Sequence, residues 1–536
     1  MDTICPEIRV DKTQADERAW QVWADQVVGE VAEVVRQQLH GVRPDEGEDL
    51  RVIEHRVQAV LRPVGKALLE ACGSRAAEDL PRPLCCGRPM HRAHRRPRAM
   101  QGAVGDWDLT RTEYVCDHCG RRHVPADEFW GIGSGQCSPL MAELASRAGA
   151  EIPSFDRAAA LLGQTLGTSV CGDTLGRTSE AVGLVAELEQ REAMALARRL
   201  LTEPTGDLAP AAELPAHLVA VRRALFPDGE TADRPGTAAA DDVRGGEAGT
   251  PDPGASPCPP KAADTAPFTL LLGIDATKAQ ANKVWRDVKV AVVAPLGPEQ
   301  TTPKREAQYP RLLLGPRSYC AAIEEVDDFF YRIVVLLACA GWRRSQPLRL
   351  VLTGDGGPWI WTCAQRLRAL GIEVVEILDI YHAREHLWEV AHAVLGTGVD
   401  GYQWGDEMAR KLKEKGPAPV LQALQALNPR GQDQQDLVRK AIDYFTTNTT
   451  RMNYPDYAAL GLPLGSGIIE SSCRLVSGMR VKQPGMRWSL SGVQAVLSLR
   501  ALHLSQTTAW DDFWRRKPLL RRPSIATLTQ TEVCYA

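Results

Sequence analysis

The sequence predicts a multidomain α/β protein, and three observations carry that prediction. Its 536 residues are roughly three to four times a typical domain of ~150, so more than one core is expected. Through the C-terminal half, short apolar strands alternate with helical patterns, as in sheets buried beneath helices. The N-terminal third reads instead as helices around a segment rich in cysteine and arginine.

Composition narrows the classes. Sixty-three Lys plus Arg against 67 Asp plus Glu leave a net charge of −4, which excludes a uniformly basic nucleic-acid coat while leaving room for a basic patch. With 44% hydrophobic and 24% charged residues the chain is neither collagen-like nor wholly disordered. No apolar run approaches the ~20 residues of a membrane span; the longest, 333–340, is flanked by charge. Segment 1–10 carries Asp2 and Glu7 and no apolar stretch, so no secretory signal is expected. Fourteen scattered cysteines then favour reduced thiols and a metal site in a cytoplasmic protein over a disulfide framework.

Region 1–80 is expected to be helical. Trp20, Trp23, Val27, Val31 and Val35 recur at helical spacing, as do Val57, Val60, Leu61, Val64 and Leu68 after a break at 44–48. This predicts a plain helical hairpin without chemistry within 14–72. Region 81–137 changes character: 81–123 holds nine arginines, four histidines and four cysteines against four acids. Cys85 and Cys86 precede Gly87, and Cys116 and Cys119 form a CxxC knuckle before Gly120. Two such turns aim their sulfurs at one ion, so a zinc-ribbon-like segment with Cys85, Cys86, Cys116 and Cys119 as ligands is expected. Adjacent cysteines point inward together less readily than a CxxC pair, so His91, His94, His118 and His123 remain alternative ligands. The arginines make the segment a candidate DNA-backbone contact.

Region 138–203 shows helical patterns at 139–148, at 155–166 with Ser154 as N-cap, and from Cys171 onward. A short glycine-containing turn between the last two has the outline of a helix-turn-helix, an outline that generic helical bundles share. Region 204–267, above all 228–267, is dominated by Ala, Gly, Pro, Asp and Glu and predicts an acidic disordered linker. In 268–395, FTLLLGID, KVAVVAPL, LRLVLTGD and IEVVEILD read as strands, with helices at 327–340, 359–370 and 382–395. Region 396–463 is helical without strands, an insertion; 464–516 opens at Gly465-Ser466-Gly467 and ends in a helix; 517–536 is a tail.

Three acids occupy telling places. Asp275 ends FTLLLGID, Asp355 ends LRLVLTGD, and Glu470 opens a helix in GSGIIESSCRLV. Carboxyl ends of buried strands are where α/β sheets form ligand crevices. A carboxylate cluster repels itself unless divalent cations occupy it, which predicts Mg²⁺ or Mn²⁺. Two such ions about 4 Å apart serve phosphodiester displacement. Past Glu470, Arg474, Arg480, Lys482 and Arg487 alternate with apolar residues and Trp488, and 471–523 holds ten basic and two acidic residues. This stretch is expected to grip phosphates.

These residues resemble a known family. GIDATK and VWRDVKV, TGDGGPWIW, LDIYHAREHLW, GSGIIESSCRLVSGMRVKQPGMRWS, LSLRALHLS and WDDFW are similar to bacterial insertion-sequence DDE transposases of the Kra type, relatives of the Mutator-like transposases. The resemblance covers most of 268–516, and the cysteine segment resembles the zinc-ribbon-like region such proteins carry upstream. It implies a ribonuclease H-like mixed sheet interrupted by an all-α insertion before the final Glu, which suits the 115 residues between Asp355 and Glu470. It implies that Asp275, Asp355 and Glu470 are the DDE triad holding two Mg²⁺ or Mn²⁺ ions. Asp379 and His382 match a DxxH element that positions DNA or the scissile phosphate. The implied activity is cleavage at transposon terminal inverted repeats and strand transfer into target DNA. The implied partners are DNA and further copies of the chain, in a cytoplasmic, nucleoid-associated setting without membrane.

Two rivals are weighed beside it. His382-Ala-Arg-Glu385-His386 is an HxxEH string, as in inverted zinc peptidases, but that reading leaves the three acids unexplained. A non-catalytic, transposase-derived DNA-binding protein would tolerate loss of the acids, and all three are present.

Overall fold

Apolar strands and helices sort the chain into two units, each with its own core, in a computed structural model that describes residues 14–39, 49–133, 135–202, 214–225, 268–297 and 313–516. The first, the knuckle unit, comprises Met1–Glu187, Met479–His503 and Thr508–Ala536; the second, the sheet unit, comprises Leu188–Gly478 and Leu504–Thr507. The whole is mixed α/β, and no described helix is long and apolar enough to cross a membrane.

In the knuckle unit, α1 (Gln14–Leu39) and α2 (Leu50–Glu78) form the expected helices, with Asp49 capping Arg51 N–H. The apolar stripe that predicted them is only partly covered: Trp20 is 49% and Leu61 59% exposed. What α2 does cover is a strand. β1 (Leu84–Cys85) and β2 (Arg88–Pro89) form a minimal hairpin, and β3 (His91–Gly102), β4 (Gly105–Val115) and β5 (Arg122–His123) an antiparallel sheet. Gly73 of α2 lies against Leu109 and Trp107 of β4, and the Glu70 carboxylate accepts the Asp108 N–H.

After α3 (Pro125–Phe129) come α4 (Pro139–Glu151), α5 (Phe155–Leu166) and α6 (Gly172–Thr202). Ser138 and Ser154 cap α4 and α5 by accepting the N–H groups of Met141 and Arg157, and Gly167 ends α5 at φ +69. Met141, Ala145, Ala158 and Leu175 close a small core among them. The last residues of α6 belong to the sheet unit.

Beyond the end of α6, the sheet unit gains an unexpected helix. α7 (Ala216–Leu225) buries Val221, Ala224 and Leu225 in the same core as the strands, so the linker expected over 204–267 does not hold there. AHLVAVRRAL carries enough apolar side chains at helical spacing to dock. The composition-driven part of the linker, 228–267, lies outside the described residues.

The strands are β6 (Phe268–Ala281), β7 (Val284–Gly297), β8 (Leu313–Leu314) and β9 (Ser318–Ala322), then β10 (Leu348–Gly354) and β11 (Glu373–Leu378), with α8 (Val326–Cys339) and α9 (Pro358–Ala369) between. Their order is β11-β10-β6-β7, with β8 and β9 both on β7. β6, β10 and β11 run parallel, while β6–β7 and β7–β9 are antiparallel. The strand expected to end at Asp275 continues to Ala281, because Asn282 and Lys283, at φ +50 and +64, close a hairpin that keeps β6 and β7 paired throughout. Its parallel pairing with β10 nevertheless stops at Gly273. Asp275 therefore stands just past the point where one neighbour leaves.

The helical insertion is not a separate body. α10 (Ile380–Leu395), α11 (Val399–Lys415), α12 (Ala418–Gln425), α13 (Gln432–Thr447) and α14 (Tyr454–Ala459) share one core with the sheet through Leu412, Leu424, Phe445 and Tyr454. The Tyr454 and Tyr457 hydroxyls donate to the Leu378 and Glu376 carbonyls of β11, at 3.0 and 3.1 Å.

α15 (Gly467–Cys473) and a π-helical turn, Arg474–Gly478, complete the sheet unit. The expectation that 464–516 belongs wholly with the sheet is corrected here. α16 (Met479–Val481), most of α17 (Leu490–Leu504) and α18 (Ala509–Arg515) join the knuckle unit, where Ala150, Val182, Leu499, Trp510 and Phe513 form a core. α17 is buried on every side over 492–500 and fits there because Gly183 admits the Ala495 carbonyl: a Cβ at 183 would lie 2.0 Å from that oxygen. The tail, 517–536, lies outside the described residues.

Candidate functional site

Sheet register brings the first two acids together. Thr353 pairs with Gly273 in the last parallel step of β10 and β6, so Asp355 and Asp275 each stand two residues beyond the same pair. Gly354 permits the approach, since a Cβ there would meet Ile360 at 2.9 Å and the Ile274 carbonyl at 3.4 Å. Gly356, at φ +103, turns the chain sharply into α9. Asp355 accepts the Gly357 N–H at 3.1 Å, and Asp275 accepts the Ala276 N–H at 2.6 Å.

Helix packing adds the third. Gly273 lets α15 settle on the sheet, where a Cβ would come within 2.9 Å of Ile469. Ile469 is buried and Glu470, the next residue, is exposed. One turn later the Cys473 thiol donates to Asp275 at 3.7 Å. Burial pushes the pKa of Asp275 up, its Ala276 hydrogen bond opposes this, and the charges of Asp355 and Glu470 push it further up. The three acids thus share one electrostatic environment. They remain open, however: among the described residues, the donor atoms that close as a group to within 4.8 Å are cysteine sulfurs.

Asp379 is not where a DNA-positioning residue should be. It is 2% exposed, caps α10 by accepting the Tyr381 N–H at 2.8 Å, and accepts the Ser466 hydroxyl at 2.5 Å. Its role is internal, because burial keeps it from any strand of DNA. Ser466 also lies 2.9 Å from the Glu470 carboxylate. His382 is half-buried, bonded to Glu385 at 3.2 Å and edge-on to His386, whose ring sits 4.1 Å from that of Tyr444. Burial, reinforced by His382, lowers the pKa of His386. The Tyr444 hydroxyl is buried without a partner among the described residues; burial first, then the charges of Asp355 and Asp379, raise its pKa.

Tyr444, Ser466 and Cys473 escaped sequence reasoning. Ser466 lies in a motif read only as a helix start. Tyr444 lies in a region read only as a helical insertion, and Cys473 carries no spacing signal.

In the knuckle unit, Cys85, Cys86, Cys116 and Cys119 place all four sulfurs within 4.8 Å of one another. Cys85 Sγ stands 3.9 Å from Cys86 and 3.6 Å from Cys119. A sulfur tetrahedron at the usual Zn–S distance of ~2.3 Å has edges of ~3.8 Å, so the set fits zinc. The adjacent pair points inward because Cys86 and Gly87 adopt φ +53 and +73, a left-handed two-residue turn between β1 and β2. Backbone N–H groups of Cys119 and His118 pull Cys116 down to about 6, while the neighbouring Cys119 and Cys116 sulfurs push Cys85 up to about 12. The histidine alternatives are engaged elsewhere or stand outside the set: His91 bonds Asp117 at 2.5 Å and His123 faces Glu128 at 3.5 Å. The arginines are largely committed too. Arg96 and Arg122 both hold Glu113, Arg98 and Arg111 both hold Asp127, and Arg95 holds Glu78.

Of the four basic residues after Glu470, Arg474, Lys482 and Arg487 are exposed. Arg480 is a correction. It is 1% exposed, donates to the Gly149 carbonyl at 2.8 Å and stacks on Phe155 and Trp488. Arg500 likewise donates to the Ala150 carbonyl, so two guanidinium groups satisfy the carbonyl end of α4. Burial lowers Arg480 to about 10, and Arg500 adds to the effect. No protein-family model matches the chain, and no curated protein matches it.

Proposed function

We propose that this chain is a DDE transposase of the Kra-type, Mutator-related kind, with a ribonuclease H-like catalytic domain in the sheet unit. The observation that carries the reading is the register that sets Asp355 beside Asp275, with the Glu470 helix seated on the same strand. The mixed sheet supports it, with an antiparallel side from β6 to β9, a parallel side from β6 to β11, and helices inserted before α15.

The acids fit divalent cations. Burial first, and then the charges of Asp355 and Glu470, raise Asp275, and all three acids offer carboxylate oxygens. Two Mg²⁺ or Mn²⁺ ions held there would supply the charge that activates the attacking oxygen and stabilises the leaving one. Asp275 and Asp355 are held by backbone N–H groups, so they present fixed oxygens rather than searching for them. Water first opens a phosphodiester at the transposon end, freeing a 3′-hydroxyl. That hydroxyl then attacks target DNA at the same acids, a transesterification that uses no nucleotide cofactor. Arg474, Lys482 and Arg487 grip phosphates, and a structural Zn²⁺ on the four cysteines shapes the knuckle unit around DNA. Paired ends make a homo-oligomer the working form, by analogy with the family.

The test uses a supercoiled plasmid carrying the DNA that flanks the coding sequence. The parent protein nicks it with Mn²⁺ or Mg²⁺, and Asp355→Asn binds equally while nicking about a thousandfold less or worse. Nicking by D355N at the parent rate would remove Asp355 from the chemistry. A protein that binds DNA and never nicks would favour the non-catalytic reading. The peptidase reading leaves Asp275, Asp355 and Glu470 unexplained.

A further inference from the structure

We propose that Ser466 is a positioning residue for Glu470, anchored from behind by Asp379; this rests on reading Glu470 as a member of the triad. Ser466 is the N-cap of α15, where a serine hydroxyl ordinarily accepts an N–H of the first turn. It makes no such bond here. Its hydroxyl stands instead between two carboxylates, Asp379 at 2.5 Å and Glu470 at 2.9 Å, and its one proton is shared between them.

Burial divides the roles among the three. Ser466 and Asp379 are 3% and 2% exposed, whereas Glu470 faces solvent. Asp379 is fixed independently of Ser466. Its other oxygen takes the Tyr381 N–H, and its own N–H donates to the carbonyl of Gly354, the residue before Asp355. One buried acid therefore ties the backbone beneath Asp355 to the hydroxyl beside Glu470. Among the described residues, Ser466 is the one hydrogen-bond partner of the Glu470 carboxylate. An exposed glutamate otherwise spreads over several rotamers, and a single bond from a buried hydroxyl selects one of them. Outer hydrogen bonds of this kind are typically worth 10–100-fold in metal affinity or activity.

Full-length protein would be titrated with Mn²⁺ alone, following free Mn²⁺ by electron paramagnetic resonance, with plasmid binding, nicking and melting temperature measured in parallel. Ser466→Ala is expected to weaken Mn²⁺ binding about tenfold and to raise the Mn²⁺ needed for half-maximal nicking, with DNA affinity unchanged. Ser466→Thr keeps the hydroxyl and should return both to within about threefold of the parent. Asp379→Asn still caps α10 and can donate to Ser466, leaving the hydroxyl proton for Glu470, so it too should stay within about threefold.

The role is overturned if S466A binds Mn²⁺ like the parent or if S466T is as weak as S466A. It is equally overturned if D379N falls as far as S466A at an unchanged melting temperature, which would assign the effect to the Asp379 charge. Asp355→Asn separates the two levels. Binding lost in D355N and kept in S466A overturns the positioning role alone. Binding kept in both overturns the triad reading and the role with it.

Discussion

The four cysteines of the knuckle unit stand with every sulfur within 4.8 Å of the others, whereas the three carboxylates of the sheet unit keep a more open spacing. Two tight turns explain the first arrangement: Cys86 and Gly87 at positive φ on one side, the CxxC loop closed by Gly120 on the other. Crowding the sulfurs costs less, because Cys116 is pulled down to about 6 by backbone N–H groups while Cys85 and Cys86 are pushed up and stay neutral thiols beside it. Carboxylates are charged from the start, and beside burial, the main cause, the charges of Asp355 and Glu470 help to raise Asp275. Their placement comes from strand register and helix docking, and each keeps a hydrogen bond of its own. The cysteine cluster thus depends on local turns and the acid cluster on the whole sheet.

The largest expected effect follows from that contrast. Cys116→Ser, or prolonged chelation, should release one zinc by elemental analysis and cost the knuckle unit several kcal/mol, on the order of what structural zinc contributes to small domains. D355N should leave the fold unchanged and stop nicking. Loss of nicking without loss of stability in C116S would show that the cysteines act on DNA rather than on the fold.

A smaller effect separates the basic residues in the same way. Arg480→Ala should destabilise the knuckle unit by about 3 kcal/mol or more, because it strips a buried donor from the α4 carbonyls and empties the space between Phe155 and Trp488. Arg487→Ala should leave the melting temperature alone and reduce the salt dependence of DNA binding by about one ion. Chemical denaturation of the first and salt titration of the second would check the pair; equal loss of stability in both would erase the distinction.

The smallest concerns Tyr444. Its hydroxyl is buried beside the acids with no partner among the described residues, so Tyr444→Phe should leave stability unchanged or raise it by at most about 1 kcal/mol. A clear drop in a thermal melt would mean the hydroxyl is already satisfied in the folded protein.

Much of both clusters was legible in the residues. Asp275, Asp355 and Glu470 sit next to strand and helix signals that short-range patterns reveal, and CxxC spacing carries its own geometry. The adjacent Cys85-Cys86 pair was harder to read, because its solution is a left-handed backbone at a non-glycine residue. Arg480 was misjudged because an arginine between apolar residues looks alike whether it faces water or a helix end 331 positions away. Asp379 was misjudged for a similar reason: its motif is visible, but its burial depends on the Ser466 loop folding over it. α7 was hidden by the composition of its surroundings, and Tyr444 by a helical stretch whose sequence gives no sign that it packs on the sheet.

The knuckle unit draws its core from both ends of the chain: Ala150 and Val182 come early, Leu499, Trp510 and Phe513 last. On the ribosome, then, the first half of that unit waits through the synthesis of the entire sheet unit before its closing helices emerge. A product cut short anywhere before α17 would carry the cysteine turns and the helix pair on an unfinished core. Such a fragment should be a target for proteases, because the helices that close that core are missing.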